Sequence, residues 1–371
     1  MTYVLAAAGI CPPGPPAPGW IAIDDGLIVE VGSGAAPAGA VDAGSALLAP
    51  GFIDLQVNGV DDVDFASAGA DGWRRAGRAQ LEDGVTSYCP TLVTAPLDEY
   101  PPALDRVLAA RADAEDQTLS AILGVHLEGP FLGGAPGAHP VDLVRPADCK
   151  WLRSLLATFP NVVTIVTLAP EADPGFAATR LLDEYGVTVA LGHSTATYET
   201  ACAAADAGAR LVTHLFNGMG LLHHREPGLA GAALDDERLT PTLIADLVHV
   251  HTAALRVAIR HKHNVGLVTD RVATTGLRVT EDGGARLADG TLAGSTLSMA
   301  RAVQNTVGLA VPVERAVEMA ATIPADALGL TDRGRIAPDM RADLVALDPE
   351  SLAVRAVWLG GDPVVGSLES G

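Results

Sequence analysis

A chain of 371 residues, 49% of them hydrophobic, carries enough apolar material for a large buried core and is not a disordered segment. Its 45 acidic residues against 24 lysines and arginines leave a formal net charge of -21, which disfavours a nucleic-acid backbone or an anionic membrane as partner. An anionic small molecule would need its own local cluster of Arg or His.

The first fifty residues hold short strand-like pieces, "WIAIDDGLIVEVG" and "ALLAPG", with a Pro-rich turn region between Cys11 and Gly19. From Phe52 the pattern changes to short apolar runs alternating with longer Ala- and Leu-rich stretches, the rhythm of repeated βα units. Strands are predicted at Phe52–Val57, Val85–Thr91, Ala121–Leu127, Val162–Leu168, Val187–Leu191, Arg210–His214, Thr242–Ala245 and Val265–Thr269. Helical stretches follow most of them, among others Trp73–Asp83, Ala147–Phe159, Phe176–Tyr185, Tyr198–Ala207 and Thr252–His261. Eight parallel strands with helical returns make a closed (β/α)8 barrel of the TIM type, which typically needs about 250 residues. A Gly-rich hairpin excursion, Leu277–Gly294, and further helices up to Leu328 come next, before strand character returns in "ADLVALD" and "AVRAVWLGG". The expected architecture is α/β: residues 51–331 form the barrel, and residues 1–50 and 332–371 pair into a small β-sandwich domain.

Cys11, Cys89, Cys149 and Cys202 lie far apart with no CxxC pair, so neither a disulfide framework nor a thiolate zinc site is suggested. No basic segment leads into an apolar one at the N-terminus, and no uninterrupted apolar run reaches about 18 residues. The expectation is a soluble cytoplasmic protein.

In such barrels the chemistry sits on loops after the C-terminal ends of the strands. Glu128 follows strand three in "GVHLEGPFL", His193 follows strand five in "VALGHST", His214 ends strand six in "LVTHLFNGM", and Asp270 ends strand eight in "VGLVTD". Singly, each reads as a solvated turn or a satisfied core histidine; four such coincidences at one rim point to a site. His, His and Glu are a three-ligand set for a catalytic zinc-type ion with a fourth position open to water, and the same donors suit Fe2+, Co2+ or Mn2+. Asp270 need not coordinate and is placed as the general base that later returns the proton to a leaving group. Gln56 and Asn58 occupy alternate positions of strand one, so both amides point the same way, and amides are poor ligands for such an ion, so one divalent ion per subunit is expected. Only Lys150 and Lys262 exist, both away from strand ends, so no lysine can bridge a metal pair.

Basic groups gather after strand six as His223, His224 and Arg225, and His249 follows strand seven. They could hold a phosphate, since a guanidinium fork matches phosphate oxygens, or they could form a solvated loop. His139, in the flexible "GGAPGAH", could polarise a carbonyl or sit at the surface.

With these residues in view, the chain resembles the N-acetylglucosamine-6-phosphate deacetylases of the amidohydrolase superfamily. "PGFIDLQVNG", "HLEGPFL", "GAH", "GHS", "THLFNGM", "HHREPGLAGAAL", "LVTD" with "TTG", "LAGSTLSM" and "ADLVALD" carry the resemblance in order from residue 50 to 347. It implies an enzyme that hydrolyses N-acetyl-D-glucosamine 6-phosphate to D-glucosamine 6-phosphate and acetate. Glu128, His193 and His214 would bind one divalent ion per subunit, Zn2+ by preference, with Asp270 as acid and base and His139 near the substrate carbonyl. Asn217 and Gly218 would lie near the phosphate or sugar, and Arg225 and His249 would be phosphate partners. The resemblance further implies a homodimer in which Arg225 reaches the neighbouring subunit's site, and a phosphorylated N-acetylated amino sugar as partner. Three positions depart from the family pattern: Leu247 stands for a Gly, Arg271 for a small residue and Ala300 for an acid. Other readings keep the galacto epimer or another N-acyl compound as substrate, use Glu128 and Asp270 as a glycosidase pair, or make the chain a sugar-phosphate-binding protein.

Overall fold

The computed structural model describes residues 3–11 and 14–366. The stretches 1–2, 12–13 and 367–371 of the expected small domain lie outside the described residues, Pro12 and Pro13 of the Pro-rich turn among them. Eight parallel strands form the barrel: Phe52–Val57, Val85–Val93, Val125–Glu128, Val163–Leu168, Thr188–Leu191, Ala209–Val212, Thr240–Ile244 and Gly266–Val268. They pair in chain order, each with the next. Strand one is buried at all six positions, as a parallel strand covered on both faces must be.

The seam between strand eight and strand one closes just beyond the end of strand eight, Val268. Asp270 N–H donates to Gln56 O at 2.9 Å, and Asn58 N–H donates to Arg271 O at 2.7 Å. A parallel bridge joins Val57 to Arg271. Closure therefore carries Asp270 to the same rim as Gln56 and Asn58.

Return helices cover the outside because each buries one stripe. In Thr252–His261 the buried positions are Leu255, Ala258 and Ile259, spaced three and four apart. Their starts are set by short side chains that accept orphan N–H groups: Asp148 caps Cys149–Thr158 through Lys150 and Trp151, and Thr197 caps Tyr198–Asp206 through Thr200. Among the described residues, no helix is long and apolar enough to cross a membrane.

The chain ends build a second, eight-stranded sheet in which Leu47–Pro50 pairs antiparallel with Leu344–Leu347, Leu344 opposite Pro50. Alternation decides which core each residue joins. Leu48, Leu344 and Ala346 enter a small core with Leu5, Ile21 and Trp358, whereas Leu47, Val345 and Leu347 enter the barrel's own cluster. The paired ends thus seal their own interior and lie on the barrel at once.

Sequence and structure differ at strand three, where Ala121–Leu127 divides into Ala121–Ile122 and Val125–Glu128. Gly124, at φ 149, interrupts it, and a β-carbon there would stand 1.8 Å from Oγ1 of Thr164. The resumed strand runs one residue further and ends on Glu128 itself. Strand six stops at Val212 instead of His214, and the hairpin excursion is three short strands, Arg278–Val279, Gly284–Arg286 and Leu292–Ser295.

Candidate metal centre and active site

His126 and Glu128 are two apart on strand three and both face the barrel interior, but at different depths. His126 is a floor residue: Nδ1 lies 3.0 Å from Leu55 O, Nε2 lies 2.7 Å from Oγ1 of Thr167, and Thr167 continues to Thr213 at 2.7 Å. Since Leu55 O can only accept, Nδ1 carries the proton and Nε2 accepts from Thr167. Burial lowers its pKa to about 4, so His126 is a neutral, satisfied support.

One layer higher, Oε1 of Glu128 stands 3.1 Å from Nε2 of His193 and 3.0 Å from Nε2 of His214, and the two nitrogens are 3.2 Å apart. All three side chains are almost fully buried. Nδ1 of His193 lies 3.1 Å from Ala135 O, a pure acceptor, so the proton of a neutral His193 is on Nδ1 and its Nε2 lone pair points at Glu128. Two acceptors 3.1 Å apart repel unless a proton or a cation lies between them. Ligands of a tetrahedral zinc-type ion, with bonds of about 2.0–2.1 Å, stand roughly 3.3 Å apart, which the triangle edges approach. The residues present therefore fit one divalent ion. Glu128, His139 and His193 also each offer an atom within 4.8 Å of the others. His214 is the better third ligand, because Nε2 of His139 is 3.9 Å from Glu128 Oε2.

His139 is held instead through Nδ1, which lies 2.9 Å from Oγ1 of Thr94 and 3.4 Å from its N–H. An N–H aimed at Nδ1 makes that atom an acceptor and leaves the proton on Nε2, facing the triangle. Burial, with the nearby His193, drops its pKa to about 3 and keeps the ring neutral.

Asp270 lies across the site with Oδ1 accepting from Asn58 Nδ2 at 2.8 Å and Gln56 Nε2 at 3.2 Å. The same Gln56 nitrogen donates to Oε1 of Glu128 at 2.9 Å. Burial and the Glu128 charge raise Asp270 to about 6, a value suited to taking and returning a proton near neutrality. For Glu128 itself burial works upward, but the two imidazoles of His193 and His214 against it outweigh burial and hold the carboxyl well below its ordinary range. His193, His214 and Asp270 have φ values of 49, 31 and 48 degrees, in the left-handed region that costs a non-glycine residue about 1–2 kcal/mol. Such strain persists where surrounding contacts over-determine it, as the seam and the triangle do here.

These groups open into a cavity of ≈ 520 Å³ that also receives Asn217, Gly218 and His249. Gly218 must be glycine, since a β-carbon would stand 2.7 Å from Nδ1 of His193. Of the residues expected from sequence, the cavity brings together Glu128, His139, His193, His214, Asn217, Gly218, His249 and Asp270 and leaves out Arg225, which is exposed on its loop. Among the described residues, none that lines the cavity is Arg or Lys. Arg271 turns outward, Nη1 donating to Asp83 at 2.9 Å and Nη2 to Asp61 at 2.7 Å. Ala300 is buried in the first turn of Met299–Gly308 and does not line the cavity.

Sequence reasoning missed Glu171, just after strand four. Its Oε1 accepts from the N–H of Gly134 (3.2 Å) and of Thr195 (2.7 Å), and its Oε2 accepts from Ser194 Oγ at 2.6 Å. It ties the loop bearing His139 to the one following His193. An acid just beyond a strand end was the available signal.

Residues 47–365 match the model of the amidohydrolase family. The chain is 40% identical over 349 residues to the N-acetylglucosamine-6-phosphate deacetylase of Bos taurus, covering 87% of this chain and 84% of the relative. It is 37% identical over 381 residues to the N-acetylgalactosamine-6-phosphate deacetylase of Escherichia coli O157:H7, covering 97% and 99%. The fold superposes, with a TM-score of 0.91 and 35% identity, on N-acetyl-D-glucosamine-6-phosphate deacetylase from Mycobacterium smegmatis in complex with N-acetyl-D-glucosamine-6-phosphate, covering 98% and 100%.

Proposed function

The chain belongs to the amidohydrolase family, and from that premise we propose that it hydrolyses the amide of N-acetyl-D-glucosamine 6-phosphate to acetate and D-glucosamine 6-phosphate. The observation that carries this reading is the Glu128, His193 and His214 triangle, with edges of 3.0–3.2 Å, facing Asp270 across one cavity. The names of the bovine and mycobacterial relatives support the substrate.

Glu128, His193 and His214 would hold one divalent ion, Zn2+ by preference on the nitrogen and oxygen donors. When bound, such an ion supplies Lewis acidity, making water a nucleophile near neutral pH and polarising a carbonyl. Asp270 accepts the proton of the attacking water on its carboxylate and delivers it to the departing amine, so protons balance over the cycle. His139 presents its Nε2–H to the acyl oxygen as negative charge develops there. Asn217 and Gly218 line the sugar side. The phosphate charge meets His249 and, in a homodimer, Arg225 of the neighbouring copy. Arg225 shares its loop with Leu221, 90% exposed, an apolar side chain that a subunit interface would cover. Four unpaired cysteines support a cytoplasmic setting.

The decisive experiment measures acetate released from N-acetylglucosamine 6-phosphate, its galacto epimer and the unphosphorylated sugar, with metal analysis of the same sample. Fastest turnover of the gluco phosphate at one ion per chain is expected. Preference for the galacto epimer would move the substrate toward that of the E. coli relative, and full activity in metal-free protein would end the proposal.

A further inference from the structure

Asp246 follows barrel strand seven, Thr240–Ile244, and its two oxygens have separate tasks. Oδ1 accepts the N–H groups of Val248 and His249, both at 2.9 Å, while Oδ2 lies 2.6 Å from Nδ1 of His249. The two side chains are only 7% and 5% exposed. Burial alone would raise the Asp246 carboxyl, but the His249 bonds outweigh it and hold the group below its ordinary range, so it is ionised. A carboxylate only accepts, so Nδ1 of His249 carries a proton. Leu247, the first of the two residues between them, has φ 69, a left-handed conformation that a leucine does not adopt for its own sake. The clasp requires it: both N–H groups must turn back onto one oxygen, and the ring then has only Nε2 left to offer the cavity that His249 lines.

We propose that Asp246 is a positioning residue that fixes His249 with Nδ1 protonated and Nε2 aimed into the cavity, so that this ring is the chain's own contact for the anionic group of the substrate. The inference rests on the reading of that substrate as a phosphorylated sugar. Among the described residues of one chain, the cavity has no other basic side chain apart from the histidines of the proposed metal centre, its neutral neighbour His139 included. A neutral imidazole tied at Nδ1 would show a lone pair to a phosphate oxygen and repel it. Donation to a phosphate oxygen needs a proton on Nε2 as well as on Nδ1, and the anionic carboxylate 2.6 Å behind the ring offsets the charge that this second proton brings.

The test uses metal-replete full-length protein and two substrates, N-acetylglucosamine 6-phosphate and N-acetylglucosamine. In Asp246→Asn the ratio of kcat/KM between them should fall about tenfold, the loss lying in KM with kcat within about threefold. His249→Ala should lower the ratio similarly, and the double variant no further. An unchanged ratio, or an equal loss on both substrates, would overturn the positioning role. A wild type that does not prefer the phosphorylated sugar would instead overturn the substrate reading, so the two failures are separable. Should the variants not fold, ring 15N shifts of His249 in the wild type decide: a proton-bearing Nδ1, with Nε2 protonated on adding inorganic phosphate, is expected, and a bare Nδ1 refutes the clasp.

Discussion

Gln56 and Asp270 meet at the barrel seam twice: the backbone of Asp270 donates to Gln56 O at 2.9 Å, and the side-chain amide of Gln56 donates to Asp270 Oδ1 at 3.2 Å. The second hydrogen of that amide goes to Glu128. One neutral NH2 group therefore stands between two carboxylates that would otherwise repel, and it orients the Asp270 carboxyl.

Replacing Gln56 with Ala removes both bonds and leaves the two acids facing each other. A hydrogen bond to a charged group contributes about 1.5–3 kcal/mol, so kcat should drop about ten- to a hundredfold. Metal content should stay near one ion per chain, since Glu128, His193 and His214 are intact. Steady-state kinetics with metal analysis checks this, and an unaltered kcat would mean Asp270 is oriented by Asn58 and the seam alone.

Glu171 is expected to act through the loops it ties together. Glu171→Ala frees the N–H groups of Gly134 and Thr195 and the hydroxyl of Ser194. Loosening of the His139 and His193 loops should lower kcat about tenfold and make 133–139 more sensitive to protease. Glu171→Gln keeps an acceptor at Oε1, and the Ser194 hydroxyl can reverse its role, so activity should stay within about threefold of wild type. Equal activity in Ala and Gln variants would remove Glu171 from this role.

The eight barrel strands and the four rim residues were legible because both depend on local pattern: apolar runs of strand length, each followed by a polar residue where the core ends. The basic cluster after strands six and seven was less so. Arg225 and His249 look alike in sequence as basic residues on loops, yet only His249 faces the cavity, because the Asp246 clasp turns it there. Arg271, adjacent to Asp270, faces outward because Asp61 and Asp83, both distant in sequence, hold it there. The amide bridge of Gln56 is likewise a contact between strands one, three and eight, which no window along the chain contains.

Leu247 offers a stability test. Its side chain is 40% exposed, so little burial is lost on removing it, while glycine takes φ 69 without steric cost. Relief of about 1–2 kcal/mol of strain, less the added freedom of an unfolded glycine at roughly 0.4–1 kcal/mol, leaves a small net gain for Leu247→Gly. Calorimetry should show Tm unchanged or raised by one or two degrees, about what such a gain produces in a large domain. A fall in Tm of several degrees would show that Leu247 packs against something more valuable than its backbone costs.

Asp54 gives the chain a pH dependence separate from catalysis. It is fully buried on strand one, where Oδ2 lies 2.6 Å from Thr269 Oγ1 and Oδ1 accepts from the N–H of Gln56 and Thr269. Burial lifts its pKa to about 7, against the lowering effect of those bonds. An acid whose folded pKa is raised binds its proton more tightly when folded, so it contributes stability in full below the unfolded value of about 3.9. That contribution is lost as pH rises toward about 7 and is gone above it. Protonated Asp54 can donate from Oδ2 to Thr269, and the amide of Asp54→Asn would reproduce that donor without ionising. Urea unfolding at pH 5.5 and 8 should therefore show the wild type losing more stability across the interval than Asp54→Asn, by about 1–3 kcal/mol. Parallel losses in both proteins would mean that Asp54 is ionised throughout and that Thr269 donates to it, with its carboxylate held by the seam it underlies.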